Sequence, residues 1–322
     1  MRLHYRDSPY FMQVTSLSSQ FRLEESLNAS ANLRGSITDT LLSDSSTTDR
    51  SGALGASINF EERPTLSFGQ FHGEEFMQRL LSRIDIDTIL LLYHSGWNLE
   101  RVFRLCLTSI NGVVNASNAS GPTPKAAPEY EKFLRLVNII HRLQQRGFLD
   151  MGYITDAQKK KPIIFISPRA MDDPEVTEMR KTLGLNASLN EYPIVIGTSA
   201  PATAGSMITI DTRSLLGVMF FLSHAVQSPT RDRLSGIITV TKDKFGREFD
   251  WGRMTNNLFK VVVAVREPSD AVVHTRYRGT WFYIDDTDLD SKSTFTLFGQ
   301  LFALIVGKPE ATAPVLTLPI GK

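Results

Sequence analysis

The segment Gln20-Phe21-Arg22-Leu23-Glu24-Glu25-Ser26-Leu27-Asn28-Ala29-Ser30-Ala31-Asn32-Leu33-Arg34-Gly35-Ser36-Ile37 alternates apolar and polar residues from end to end. Glu25 is the one charged residue on the apolar parity. The stretch 54–68 repeats the arrangement, with Leu54, Ala56, Ile58, Phe60, Leu66 and Phe68 on one parity and Gly55, Ser57, Asn59, Glu61 and Arg63 on the other. Successive side chains of a strand point to opposite faces, so a period of two sustained this long predicts two β-strands, joined by the Ser/Thr/Asp-rich loop 38–53. Ordinary strands run about 5–6 residues, whereas a tilted strand crosses a bilayer in about 9–11, and both arms exceed the ordinary length.

Pairing Ile37 with Leu54 sets Leu33 opposite Ile58 and Ala31 opposite Phe60, which keeps the apolar residues on one face and leaves Glu25 and Glu62 toward the base. In a membrane, Leu27, Leu33, Ile37, Leu54, Ile58 and Phe60 would then face lipid, while Asn28, Asn32, Arg34, Ser57, Asn59 and Glu61 would line a lumen. A lone ribbon cannot satisfy its edges in lipid, so this reading carries a ring-shaped homo-oligomer with it. Antiparallel sheets outside membranes alternate in the same way. A soluble hairpin arm that joins a neighbouring subunit by strand addition, or an ordinary sheet, therefore fits the alternation too.

The 322 residues are 42% hydrophobic and 21% charged, enough for one large or two modest domains without covalent staples. A net charge of +1, with acids and bases interspersed, argues against nucleic acid as a partner. Cys106 is the only cysteine and sits in the apolar run Val102-Phe103-Arg104-Leu105-Cys106-Leu107, which marks it as a small buried hydrophobe. No apolar run reaches the roughly 18–20 residues of a membrane helix; 215–222 and 295–306 read as buried helices. The opening Met1-Arg2-Leu3-His4-Tyr5-Arg6-Asp7 runs at once into the strand-like 10–14, which suggests a further segment upstream.

Four divisions follow: an extended start and long hairpin over 1–70, a helical segment over 71–111, a linker over 112–129 and an α+β domain over 130–322. Helices are expected over 73–84, over 85–96 and over 98–108 with Asn98 as N-cap. The span 111–128 is rich in Asn, Ser, Gly, Ala and Pro and lacks periodicity, as a linker does. Beyond it, helices are expected over 130–146, 174–183, 212–226 and 292–306. Strands are expected over 162–167, 193–198, 206–211, 236–242, 259–266 and 280–285, and together these predict an α+β fold on a mixed or mostly antiparallel sheet.

Catalytic and metal-binding patterns find no support. The aspartates of Asp285-Asp286-Thr287-Asp288-Leu289-Asp290-Ser291 miss the glycine and glutamate of a calcium loop and suit the cap of the following helix. His4, His72, His94, His141, His224 and His274 form no ligand pair by spacing, and no nucleophile elbow accompanies them. The run 197–205 has no phosphate-binding glycine pattern and reads as a hairpin loop; Lys159-Lys160-Lys161 reads as a solvated turn. A cofactor is not expected, and neither is an enzyme.

Several short stretches resemble an uncharacterised family of bacterial envelope lipoprotein-type proteins: 2–11, Glu61-Glu62-Arg63-Pro64-Thr65, Gly73-Glu74-Glu75-Phe76, Arg213-Ser214-Leu215-Leu216-Gly217-Val218 and Trp281-Phe282-Tyr283-Ile284-Asp285-Asp286. Members of such families begin with a lipoprotein signal and an acylated cysteine, and this sequence has neither. The resemblance implies an envelope location and supplies no activity, ligand or functional residue. In architecture alone, the hairpin is similar to those of lipoproteins that build outer-membrane pores from one hairpin per subunit. The expectation is a non-enzymatic, pore-forming subunit at the periplasmic side of the bacterial outer membrane, with copies of itself and membrane lipid as partners. A soluble assembly subunit is the alternative.

Overall fold

A computed structural model describes residues 1–9, 11–29, 54–70, 73–156, 159–197, 205–307 and 316–319, and for 12–29, 54–70, 156, 159 and 316–319 the backbone alone. The chain divides into two units, Phe11–Phe71 with Glu310–Lys322, and Met1–Tyr10 with His72–Pro309.

In the first unit, β1 (Met12–Ala29) pairs antiparallel with β2 (Leu54–Gln70), from Met12 opposite Gln70 to Ala29 opposite Leu54. A bulge between Val14 and Ser16 shifts the register once. The C-terminal strand Leu316–Pro319 pairs antiparallel with Thr65–Phe68 at the base of β2. Leu54 thus lies opposite Ala29 where the sequence pattern set it opposite Ile37; Ile58 meets Glu25 and Phe60 meets Leu23. The displacement is an even number of residues, so each position keeps its parity, which is why alternation alone does not choose between the two registers.

The second unit is a mixed α+β fold. Helices α1 (Glu74–Leu81), α2 (Ile86–His94) and α3 (Leu99–Cys106) follow one another, α2 capped by the Asp85 side chain on the Thr88 amide and α3 by Asn98 on the Glu100 amide. The chain then leaves the helix two residues before the expected end, because Leu107 turns to extended backbone and opens β3 (Leu107–Ile110). Asn111 and Gly112 both take positive φ, 44° and 77°, and turn β3 into β4 (Val113–Val114). This is the two-residue Asn-Gly hairpin turn, in which both central residues need a left-handed backbone.

The span expected as a linker lies inside this unit. After β4 it forms a 3-10 turn, Ser117–Ser120, with Asn115, Ala116 and Ala119 buried. Asn115 donates to the Arg104 and Leu107 carbonyls at 3.0 and 2.7 Å and so serves the core, while Ser117 and Asn118 are exposed. Next come α4 (Glu131–Gln145), β5 (Leu149–Asp156), β6 (Lys159–Ile166), α5 (Pro174–Leu183), β7 (Glu191–Ile196), β8 (Ile208–Thr212) and α6 (Leu215–Ser223). The six strands form one sheet in the order β4-β3-β8-β7-β6-β5, antiparallel except for β7 beside β8. Parallel neighbours cannot be joined by a hairpin, so the connection that begins at Gly197 is a crossover, correcting the expected hairpin loop. Lys159, Lys160 and Lys161 belong to β6 itself and not to a turn.

The core packs α3 and α4 together and α4 on α5, burying Val102, Phe103, Phe133, Leu136, Ile140 and Val176. Cys106 is fully buried, and burial pushes its thiol up to about 12. The chain continues through α7 (Thr230–Leu234) and α8 (Gly252–Thr255) to β9 (Val262–Ala264), β10 (Ala271–Tyr277), β11 (Thr280–Asp285) and α9 (Leu289–Val306). A three-stranded antiparallel sheet orders β10-β11-β9. The expected strand 236–242 is instead a chain segment bridged at Lys242 to Ala126 and Glu248. No helix among the described residues is long and apolar enough to cross a membrane.

Candidate functional site

Two regions invite a functional reading, and each belongs to one unit. On the hairpin, the register sets Leu27 opposite Ala56, Leu54 opposite Ala29, Ile58 opposite Glu25 and Phe60 opposite Leu23. On the other parity, Asn28 meets Gly55, Ser57 meets Ser26, Asn59 meets Glu24 and Glu61 meets Arg22. Leu33, Ile37, Asn32 and Arg34 lie outside the described residues. Glu25 stands opposite Ile58, four residues from Ala29 at the loop end of β1.

The second region is a cleft of about 1030 Å³ in the α+β unit, walled by residues from the N-terminal turn, the 117–128 span, the end of α6 and the chain around α8. Its inner wall holds His4, on the 3-10 turn Arg2–Tyr5, and His224, which follows α6. His4 Nε2 is 2.6 Å from Ser228 Oγ, and His224 Nε2 is 3.1 Å from the Ala119 carbonyl. A carbonyl only accepts, so His224 Nε2 carries the proton and, in the neutral ring, Nδ1 presents a lone pair. Burial, with smaller effects from neighbouring charges, lowers both imidazoles to about 4, which keeps them neutral at pH 7.

Trp251, at the start of α8, stacks on the His224 ring with centroids 4.1 Å apart and planes 14° from parallel, and Phe249 meets the indole edge-on at 5.1 Å. Thr123 completes the inner wall, 4% exposed. The Thr123 Oγ1 and His224 Nδ1 atoms are buried and have no hydrogen-bond partner among the described residues, whereas His4 also has a hydrogen bond with the Ser223 carbonyl, which raises its pKa against burial.

Behind the cleft, Arg213 is 1% exposed and holds the surrounding segments in place. Its guanidinium donates to the carbonyls of Arg104, Leu105, Leu107 and Asn115 and to Ser120 Oγ, and lies 4.2 Å from the centroid of Phe221. Burial pushes its pKa down to about 9, so it keeps its charge at neutral pH and shares it with carbonyl dipoles. In this way the end of α3, β3, Asn115 after β4 and the 3-10 turn are tied to the start of α6.

The aspartates of 285–291 act as caps and ion pairs. Asp288 caps α9 by accepting from the Ser291 amide at 3.0 Å, Asp285 accepts from Thr287, Asp286 pairs with Lys292 and Asp290 with Arg101. Sequence reasoning missed the cleft because His4 and His224 are 220 positions apart and belong to no motif. The traceable signal was the apolar setting of His224, next to the Leu215-Leu216-Gly217-Val218-Met219-Phe220-Phe221-Leu222 run. Compared with protein-family models, with curated proteins and with solved structures, the chain matches none.

Proposed function

We propose that the chain is a non-enzymatic structural subunit of a homo-oligomeric assembly at the bacterial outer membrane, its hairpin pairing edge to edge with those of neighbouring copies in a shared β-barrel that forms a pore. One observation carries this reading: β1 is 18 residues long and, among the described residues, has a strand on one side only. The C-terminal strand covers four residues of β2, at its base. Unpaired strand edges are templates for further pairing, and closure of a ring satisfies them all at once. The sequence alternation adds an apolar face, on which Leu27, Leu54, Ile58 and Phe60 would meet lipid, together with Leu33 and Ile37 of the segment between the strands.

One observation favours a second reading, a soluble assembly subunit with the hairpin as its arm. Glu25 shares a face and a register position with Ile58, and a carboxylate in the middle of a lipid-facing band is unfavourable. Against a neighbouring protein surface it finds partners more easily.

Fractionation of cells expressing the full chain, followed by electron microscopy with and without detergent, separates the two. Detergent-dependent rings, lost when Ile58→Arg and Phe60→Arg are combined, support the pore; each arginine costs about 2–4 kcal/mol near the middle of a bilayer. Rings in detergent-free buffer that the same pair disrupts support the soluble arm. Monomers under both conditions overturn both readings.

A further inference from the structure

We propose that the surface made by α7 and the loop 241–249 binds an anionic lipid surface, with Leu234 and Phe245 entering the headgroup region and the surrounding lysines and arginines meeting lipid phosphates. This surface belongs to the α+β unit and depends neither on the long hairpin nor on the function argued from it.

Exposed apolar side chains standing singly are ordinary, so what matters is their grouping and their setting. Leu234 is 84% exposed and Phe245 69%, and Ile237, three residues beyond Leu234, is exposed too. None of the three lines the cleft. The two elements are neighbours, because Arg233, next to Leu234, donates to Glu248, three residues from Phe245, at 3.0 Å. Both apolar points are carried on hydrogen-bonded turns. The Asp243 side chain accepts from the Phe245 and Arg247 amides at 2.8 and 2.9 Å, its own amide donates to the Arg247 carbonyl at 2.8 Å, and Gly246 takes φ 78° at the tip. On the other side, α7 is anchored through the buried Asp232, bonded to Tyr5 at 2.6 Å. Backbone already ordered in this way has little further freedom to lose on binding.

Positive charge is in excess around them. Residues 230–248 carry five cations and three carboxylates, in a chain whose net charge is only +1. Of those carboxylates Asp232 is buried, Asp243 is half-buried and bonded to Arg247, and Glu248 is bonded to Arg233. Arg231, Lys242 and Lys244 are exposed and form no ion pair among the described residues. Lys125, whose carbonyl accepts from the Lys242 amide at 2.9 Å, adds an exposed cation, and Asp250, which accepts from the Gly252 amide at 2.8 Å, an exposed acid. Lys244 Nζ and the Arg247 guanidinium each lie 5.1 Å from the Phe245 ring centroid, which sets two positive charges beside the apolar tip.

This combination suits a lipid surface better than a protein. A specific protein interface needs a continuous complementary patch of about 800 Å² on each partner, whereas here the apolar residues stand as separate points on two turns with cations among them. A bilayer accommodates each point by itself: the apolar side chain sinks below the phosphates, and the flanking lysine and arginine stems follow while their charges stay at headgroup level. Anionic lipid supplies the complementary charge, and each lysine or arginine close to such a surface raises partitioning about fivefold.

The test floats the purified full chain with vesicles of phosphatidylcholine alone and with vesicles containing about 30% phosphatidylglycerol. The expected result is partitioning onto the anionic vesicles at least about tenfold above the neutral ones at about 0.1 M salt, most of it lost at about 0.5 M. Lys242→Gln combined with Lys244→Gln should lower it about tenfold or more. Leu234→Ser combined with Phe245→Ser should lower it by at least about tenfold as well. Circular dichroism checks that both pairs fold, and the salt dependence of the unaltered chain tests the proposal without any variant. Insertion of the long hairpin by its apolar face would be similar on both vesicles and would survive salt, so it does not mimic this result. Equal binding to the two vesicles, binding indifferent to salt, or binding unchanged in either folded pair overturns the proposal. So does retention on immobilised polyglutamate without binding to vesicles, which would assign the surface to an acidic protein.

Discussion

The Tyr5 hydroxyl donates to the Asp232 carboxylate at 2.6 Å, a buried hydrogen bond between residues 227 positions apart. Around it, Tyr5 meets Tyr277 and Phe282 edge-on at 5.5 and 6.4 Å, the Arg278 guanidinium lies 5.2 Å from its ring centroid, and Asp7 accepts from Arg278 and from the Tyr277 hydroxyl. The N-terminal turn is therefore an integral part of the α+β unit, held against β10 and β11.

Tyr5→Phe keeps the ring packing and strips Asp232, which is 6% exposed, of this donor. Loss of a hydrogen bond to a buried charged group costs about 1.5–3 kcal/mol, so the urea midpoint is expected to fall accordingly while the m-value stays unchanged. A midpoint equal to wild type would mean that water replaces the phenol without loss.

Arg213→Lys replaces a planar fork serving five acceptors with a single ammonium group. Several carbonyls lose their donor together, and the expected destabilisation is about 3–5 kcal/mol, the range found when a buried charge network is broken. Thermal unfolding of the purified variant checks it, and Arg213→Met should be at least as damaging because it removes every donor.

Acid should loosen the fold through the two cleft histidines. Each titrates at about 4 in the folded chain against an ordinary 6.5, so both are neutral in folded and unfolded states above pH 6.5, and stability does not depend on them there. As pH falls from 6.5 to 4 the unfolded chain takes up protons that the folded chain refuses, and stability declines; below pH 4 the loss is complete, at roughly 3 kcal/mol per ring. Guanidinium unfolding at pH 7, 5.5 and 4.5 should show this decline, and His224→Phe should flatten it.

Gly205→Ala tests the crossover between β7 and β8. Gly205 has φ +71°, and a Cβ there would stand 2.6 Å from the Gly184 carbonyl and 2.7 Å from the Asn186 amide nitrogen, while Asn186 already donates that amide to the Gly205 carbonyl at 3.0 Å. Backbone strain and overlap together should cost about 1–3 kcal/mol, measured as a lower melting temperature. Gly121→Ala, at a glycine with ordinary φ and open space around its Cβ position, is the control and should be nearly neutral.

Much of the α+β unit was legible locally. Helix α5 runs over Pro174–Leu183 as its proline, aspartate cap and terminal glycine imply, and Asn98 and the acidic run before α9 cap as their chemistry suggests. Strands at the edges were harder: β5 carries Asp150, Gly152 and Asp156, residues depleted in strands, and buries only Leu149 and Met151 at its start, while β10 is exposed along most of its length. The Asn111-Gly112 turn was readable in principle, but the small polar residues after it resemble a linker, and only the contacts of Asn115 and Arg213 reveal that they line a core. The cleft was invisible for a different reason. His4, Thr123, His224 and Trp251 come from four separate stretches, and nothing in any one of them announces the other three.

The bond between Tyr5 and Asp232 also sets an order of events during synthesis. A ribosome adds about 5–20 residues per second, so the N-terminal turn waits roughly ten to fifty seconds before its partner on α7 emerges, and longer for β10 and β11. During that interval His4 and Tyr5 have no native place to go, and the cleft they help to wall cannot exist. Folding of the α+β unit therefore joins Tyr5 to residues made more than two hundred positions later, which predicts slow, late maturation of this unit.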